Sequence, residues 1–302
     1  MIRIGTRNSP LAMWQAKEVE QKLQNLGYET SLVPVLSSGD KNLNQPLYSL
    51  GITGVFTKDL DIALLNNEID IAVHSLKDVP TLLPKNIEIS AVLERDFPQD
   101  VLVRKSSSKN KDLAELKIAT SSLRRRAFWL EQFPETEFFD IRGNVQTRLK
   151  KLEEGDFDAT LFSLAGIKRM EMELDFEFLD FMISAPSQGV VAIASRIDDV
   201  ETRKILQKIN HEETQICVEI ERNFLRTLEG GCTAPIGAIA KFEDNKIYFK
   251  GKLNALDGAK TLNLVEEFEY NHSENFGEKF AKIILEKGGK EMMEVIKSKL
   301  KN

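Results

Sequence analysis

The chain has 302 residues, 42% of them hydrophobic and 29% charged, with a formal net charge of −6. This is soluble globular composition, long enough for about two domains, with three small ones possible. The acidic balance argues against nucleic acid or an acidic membrane surface as a general partner, so any anion site must be a local concentration of arginine.

The opening Met1-Ile2-Arg3-Ile4-Gly5-Thr6-Arg7 has no apolar core of a signal peptide, and no stretch approaches the roughly 18 apolar residues of a membrane span. Two cysteines, Cys217 and Cys232, and three separated histidines, His74, His211 and His272, give neither a disulfide framework nor zinc spacing, so no metal is expected. A reducing, cytoplasmic location is expected. There is no G-x-G-x-x-G and no P-loop to support a nucleotide site.

In chain order, Arg3 to Gly5 reads as a strand and Thr6-Arg7-Asn8 as a loop. Ser9 is a good N-cap with Pro10 at the first helical position, and Ala12, Ala16, Val19, Leu23 and Leu26 keep helical spacing up to Gly27. Arg7 then sits at a strand-to-helix junction, with Gln15 about two turns into the helix. Ser31 to Leu36 is a second strand. The long polar stretch from Ser37 to Gly54 reads as either a lid or a disordered loop, and a mobile lid is expected. A helix around Phe56 to Leu64 leads to the strand Ile69 to Val73, which spills into His74-Ser75-Leu76-Lys77-Asp78-Val79-Pro80. Pro80 and Pro84 keep that segment from continuing as a helix, so Lys77 and Asp78 lie at the carboxyl edge of a sheet, where ligands of open α/β folds bind.

Ile87 to Leu93 is a strand, and Glu94 to Pro98 a first crossing between domains. Strands follow at 101–103 and 116–120. Ser121-Ser122 offers an N-cap to a helix carrying Arg124, Arg125 and Arg126 in its first turns. Positive charge there opposes the helix dipole by about 0.3–1 kcal/mol per residue, and three arginines therefore point to an anionic ligand. Strand, Arg142, the cap Asn144 and a helix bearing Arg148 repeat the pattern, and Arg169 follows another strand. Phe178 to Ile183 reads as a strand, Ala185-Pro186-Ser187-Gln188-Gly189 as a second crossing, and Val190 to Ala194 as a strand returning to the first domain. Helices at 200–209 and 212–228 come next. Cys217 lies beside the apolar stripe of the latter and reads as a buried, inert thiol. Cys232, in Glu229-Gly230-Gly231-Cys232, is presented on a glycine loop as a nucleophile or attachment point. Three alternating strands, with an Asp244-Asn245 turn between the first two, and two helices broken at Gly288-Gly289 complete a small α/β domain.

Six stretches run in one order that resembles the porphobilinogen deaminase family, the hydroxymethylbilane synthases. They are Thr6 to Ala12, His74 to Pro80, Thr120 to Arg125, Arg142 to Val145 with Thr147-Arg148, Gly166 to Arg169, and Glu229 to Cys232. They span about the first four-fifths of the chain. The resemblance implies an α/β protein of three domains. Residues 1–94 with 190–208 and residues 98–184 would be two lobes of a type II periplasmic-binding-protein fold. Residues 211–302 would form a small C-terminal α/β domain with an antiparallel sheet. It also implies a dipyrromethane cofactor held to Cys232 by a thioether, four porphobilinogen units added with loss of ammonia, and release of a linear tetrapyrrole by water.

By the same resemblance Asp78 is the catalytic acid, stabilising positive charge on pyrrole nitrogens. Ser75, Lys77, Asp78, Thr120, Ser121, Ser122, Arg124, Arg125, Arg142, Asn144, Arg148 and Gln188 would hold the cofactor. Arg7, Ser9, Gln15, Arg142, Arg148 and Arg169 would hold substrate carboxylates. The partner is the small molecule porphobilinogen, and the state a monomer, with no nucleic acid and no membrane. Two positions depart from the family pattern: Thr53 replaces a common lid lysine, and Ser187-Gln188-Gly189 stands where Gly-Gln-Gly is usual. The competing reading is a non-catalytic, two-lobed anion-binding protein, since that fold class binds solutes widely.

Overall fold

The computed structural model describes residues 1–36, 57–229, 234–244 and 246–301. The expected lid at 37–54 with Thr53, the expected attachment residue Cys232, and Asn245 of the expected Asp244-Asn245 turn lie outside the described residues. In chain order the first elements are β1 (Ile2–Arg7), α1 (Pro10–Asn25), β2 (Thr30–Val35), α2 (Lys58–Leu65), β3 (Ile71–Ser75), β4 (Ile87–Val92) and β5 (Asp100–Arg104). Then come β6 (Ile118–Ala119), α3 (Leu123–Leu130), β7 (Phe138–Phe139), α4 (Val145–Glu154), β8 (Ala159–Ser163), α5 (Leu164–Arg169) and β9 (Glu177–Phe178). The rest are β10 (Val191–Arg196), α6 (Val200–Gln207), α7 (Glu212–Thr227), β11 (Ile236–Glu243), β12 (Lys246–Asn254), β13 (Thr261–Glu269), α8 (Phe276–Ile284) and α9 (Lys290–Lys301).

Two compact units result. Among the described residues, one draws on 1–36, 57–96 and 188–216, the other on 97–187, 217–229, 234–244 and 246–301. The first holds a five-stranded sheet ordered β2-β1-β3-β10-β4, in which β10 alone runs antiparallel to its neighbours. The second holds a five-stranded sheet ordered β7-β6-β8-β5-β9, and here β5 is the antiparallel strand. Both therefore share one topology, in which the strand inserted next to the edge is the one that follows a crossing. This is the type II periplasmic-binding-protein arrangement. The second unit also contains the antiparallel sheet β11-β12-β13 with α8 and α9. No helix among the described residues is long and apolar enough to cross a membrane.

Hydrophobic spacing explains the packing. Ala16, Val19 and Leu23 on one face of α1 are fully buried against Ile4, Ile71 and Ile193 of the sheet. Each large side chain so buried contributes about 1.5–3 kcal/mol relative to exposure. In the second unit Phe128 and Trp129 of α3 fill the core with Leu102, Ile118 and Leu161. The third sheet rests on the same helix. A Cβ at Gly237 of β11 would lie 2.8 Å from the Phe128 ring and 2.9 Å from the Ile183 carbonyl, so the close approach requires glycine. Lys252 of β12 reaches Glu131 at 2.5 Å, just beyond the end of α3.

Three local expectations change. Strand β1 continues through Thr6 and Arg7, which pair with Pro34 and Val35; β2 is an edge strand, where proline is tolerated. Residues 179–183 do not extend β9, because Leu179 and Met182 turn inward to the Phe128–Trp129 cluster and Phe181 packs edge-on to Trp129 at 5.7 Å. The segment after β3 is a single 3-10 turn, Leu76–Asp78, rather than open loop. The tail breaks where its glycines stand: Leu285–Gly289 is a π-turn with Gly288 at φ 98°.

Candidate functional site

In the first unit the carboxyl ends of β1 and β3 lie side by side, because the two strands pair in parallel. Ser9 caps α1 by accepting the Ala12 N–H at 3.3 Å, which fixes the helix start beside Arg7. Gln15, buried one and a half turns into α1, donates to the Ser75 hydroxyl at 2.8 Å. Here the helix and the end of β3 are tied by side chains that the sequence had placed apart by 60 residues. Lys77 donates to the Gln188 carboxamide at 3.3 Å, and the Gln188 carbonyl accepts from Arg95 at 3.1 Å. Asp78 is exposed at the end of its 3-10 turn. His74, on β3 just before this edge, is buried; burial first, and then the charge of Arg7, hold its imidazole down to about 4, so it is neutral near pH 7.

The second unit repeats the arrangement with guanidinium groups. Thr120, Ser121 and Ser122 follow β6. The Thr120 hydroxyl accepts the Ser122 N–H at 3.2 Å. The Ser121 hydroxyl bonds the Ile141 backbone at 3.0 Å, and Ser122 caps α3 by accepting from the Arg125 N–H at 3.4 Å. Arg124 donates to Asp100 at 2.6 Å and to the Ile183 carbonyl at 2.7 Å. Arg125 binds the other Asp100 oxygen through Nε at 3.0 Å and Nη2 at 2.7 Å, and donates to the Leu161 carbonyl at 2.7 Å. Asp100 is almost fully buried, and its two guanidinium partners hold its carboxyl far below the usual range against the desolvation that opposes it. Sequence reasoning read Arg124 and Arg125 as facing an anionic ligand only; the structure gives them a protein carboxylate as well. No local signal marked Asp100, which lies 24 residues before Arg124.

Arg148 differs. It donates to the Leu161 carbonyl at 2.5 Å and to the Thr160 hydroxyl at 3.2 Å, and its guanidinium stacks 4.2 Å from the Phe162 ring. Among the described residues its Nε, sealed from solvent, has no hydrogen-bond partner, and no acid pairs with it. Burial first, and Arg125 second, push its pKa down to about 9. The residue as a whole is half-buried, but the guanidinium head is enclosed. Asn144 caps α4 by accepting the Thr147 N–H at 2.8 Å, placing Arg148 one turn in. Gly143, at φ 121°, makes the preceding turn, and Arg142 is half-buried beside it. Arg169 is buried at the end of α5.

So Arg7, Ser9, Gln15, Ser75, Lys77, Asp78 and Gln188 belong to one unit, and Thr120 to Ser122, Arg124, Arg125, Arg142, Asn144, Arg148 and Arg169 to the other. Sequence reasoning missed Asp100 and also Glu221, a fully buried acid of α7. As for a cofactor with several carboxylates, an enclosed guanidinium with an orphaned Nε and no acid of its own is the donor set such a group requires.

Known proteins carry the same patterns. The family model "Porphobilinogen deaminase, dipyromethane cofactor binding domain" matches residues 2–204, and "Porphobilinogen deaminase, C-terminal domain" matches residues 215–286. The chain is 44% identical to a porphobilinogen deaminase of Chloroherpeton thalassium, over 86% of this chain and 84% of that one. It is 48% identical to a probable porphobilinogen deaminase of Methanocaldococcus jannaschii, over 83% and 87%. It is 41% identical to a porphobilinogen deaminase of Desulfitobacterium hafniense, over 99% and 98%. Among solved structures, an ancestral cationic amino acid solute binding protein is similar at a TM-score of 0.44 and 14% identity, covering 68% of this chain and 86% of that one. With its family models matching both parts and relatives matching along most of its length, the chain belongs to the porphobilinogen deaminase family.

Proposed function

We propose that the chain is a hydroxymethylbilane synthase that joins four porphobilinogen units on a dipyrromethane cofactor bound to Cys232 and releases the product by hydrolysis. We read it as three domains, 1–94 with 190–208, 98–184, and 211–302, acting as a monomer. In each addition the bond from the aminomethyl carbon to nitrogen breaks and ammonia leaves with the electron pair. A carbon–carbon bond then forms to an unsubstituted pyrrole α-carbon, and that carbon loses its proton. When bound, the dipyrromethane supplies the first such α-carbon.

The chain's own groups divide the remaining work. Arg148, Arg124, Arg125 and Arg142 bind cofactor carboxylates through fork-shaped donors, with Asn144, Thr120, Ser121 and Ser122 at the helix starts beside them. Ser75, Lys77 and Gln188 hold the cofactor at the other edge. Arg7, Ser9, Gln15 and Arg169, with Arg142 and Arg148, hold the acetate and propionate groups of incoming substrate. Asp78 supplies a negative charge where positive charge builds on pyrrole nitrogen, and it takes and returns protons there.

The observation that carries the enzymatic reading over a simple anion-binding one is the exposed Asp78 next to Lys77. An edge built only to bind anions gains nothing from a carboxylate at that place. The test is single-turnover rate, with the cofactor confirmed present by mass. Asp78→Asn should lose at least about 10²–10³ in rate, the size expected for one preorganised electrostatic contact. Asp78→Glu, which keeps the charge and shifts it by a methylene, should retain more. Near-wild-type turnover in Asp78→Asn would remove Asp78 from the mechanism.

A further inference from the structure

The second crossing is a turn over residues 186–189, and Ser187 within it has φ 66°. A residue after a turn proline that needs positive φ is ordinarily glycine, because a Cβ is strained in the left-handed region. Six non-glycine residues of the described chain have positive φ. The other five, Asn67, Asn86, Glu171, Glu229 and Asp244, are exposed, whereas Ser187 is fully buried. Its hydroxyl is sealed from solvent with no hydrogen-bond partner among the described residues. Backbone strain and an orphaned hydroxyl thus coincide at one buried position.

A buried acid holds the position there. The Ser187 N–H donates to Glu221 Oε2 at 2.6 Å, while Glu221 Oε1 accepts the Ala240 N–H at 2.7 Å. The short bond from its own N–H to this buried side chain holds the strained residue in place. The next three residues are all engaged. Gln188 accepts from Lys77 through its carboxamide and from Arg95 through its carbonyl. The Gly189 carbonyl accepts the Asp96 N–H at 3.1 Å, and the Val190 carbonyl accepts the Leu76 N–H at 3.0 Å. The direction in which the chain leaves Ser187 therefore decides where the Gln188 carboxamide meets Lys77, one residue from Asp78.

We propose that Ser187 is a positioning residue, whose left-handed backbone, held by Glu221, trades stability for a fixed placement of Gln188 against Lys77. The part of this that concerns turnover rests on the function proposed above. The test compares Ser187→Gly, which relaxes the left-handed strain and frees the turn, with Ser187→Ala, which keeps the strain and removes the hydroxyl. Melting is measured in a Cys232→Ser background, so that no adduct contributes. There Ser187→Gly should melt about 1–3 °C higher, the rise that relief of backbone strain at one residue gives a chain of 302 residues. The Leu76 and Asp96 amides should exchange about two- to fivefold faster, as the turn they are bonded to loosens. With Cys232 intact, acquisition of the cofactor from porphobilinogen, followed by mass, should slow by about the same two- to fivefold factor. Ser187→Ala should match the wild type in exchange and acquisition.

A role in stability alone would raise the melting point without moving the two amides. An unchanged or lower melting point in Ser187→Gly, or unchanged exchange at Leu76 and Asp96, overturns the proposal. If the parent chain never gains an adduct, the proposed function fails, while melting and exchange still decide whether Ser187 places Gln188.

Discussion

Two arginines share one carbonyl oxygen, that of Leu161, and their situations are opposite. Arg125 has a buried carboxylate in Asp100, whereas Arg148 keeps its charge in an enclosed place beside Arg125. An enclosed charge without a counter-charge destabilises the bare fold. Replacing Arg148 by Met removes that charge, with the guanidinium that stacks on Phe162, and keeps an unbranched apolar side chain in its place. In the bare protein Arg148→Met should therefore melt at or above the parent temperature. Its acquisition of the cofactor should slow by about tenfold or more, the loss expected when a hydrogen bond to a charged group disappears. Thermal scans and a mass time course measure the two effects. Lower stability with unchanged acquisition would make Arg148 a structural residue. The arginine run at 124–126 was legible in the sequence because it contradicts the helix dipole. Its structural half was not, since a counter-ion delivered by β5 through sheet pairing leaves no local mark.

At the scale of elements, local chemistry made the helix starts readable. Ser9, Ser122 and Asn144 each cap the helix that their positions before an apolar stripe predicted. The break at Gly288 was readable for a related reason, as glycine alone takes φ 98° there without strain. Strand ends were less so. Arg7 carries no β signal of its own, and it is strand because Val35 of β2 lies beside it. Phe178 to Ile183 is a mostly apolar stretch that suits a strand as well as a coil; Phe178 is strand, and beyond it packing on Trp129 decided for the coil. Sheet order was not readable from residue patterns at all. That β10 inserts between β3 and β4, and β5 between β8 and β9, depends on contacts far apart in sequence. The same holds for Glu221, whose role follows only from the meeting of α7, β11 and the crossing turn.

For the molecule as a whole, two buried groups in the first unit set opposing pH terms. His74 is held down to about 4, so as pH falls from 6.5 towards 4 the unfolded chain takes up a proton that the native one refuses, and stability falls. Asp61 is raised to about 6, by burial first, with its hydrogen bond to Thr57 opposing. Between 3.8 and 6 the native chain keeps a proton that the unfolded one releases, so this term weakens the fold as pH rises and is fully felt at pH 7. Between about 4 and 6 the two slopes oppose, each at most about 1.4 kcal/mol per pH unit. Asp61→Asn removes one of them. By urea unfolding it should exceed the parent in stability at pH 7 by about 1–3 kcal/mol, and that advantage should shrink to nothing near pH 4. A difference that does not vary with pH would mean that Asp61 is ionised as easily in the fold as outside it.

The proposed reaction requires this chain to build and keep a two-pyrrole primer on Cys232. Intact mass after supply of porphobilinogen tests it most directly, with Cys232→Ser and Cys217→Ser alongside. Cys217 is buried, and its replacement should leave the adduct in place. The parent chain should be heavier than its sequence by two pyrrole units, Cys217→Ser should show the same increment, and Cys232→Ser should show the bare mass. A bare mass for the parent chain supplied with porphobilinogen, or an adduct that survives in Cys232→Ser, would contradict it.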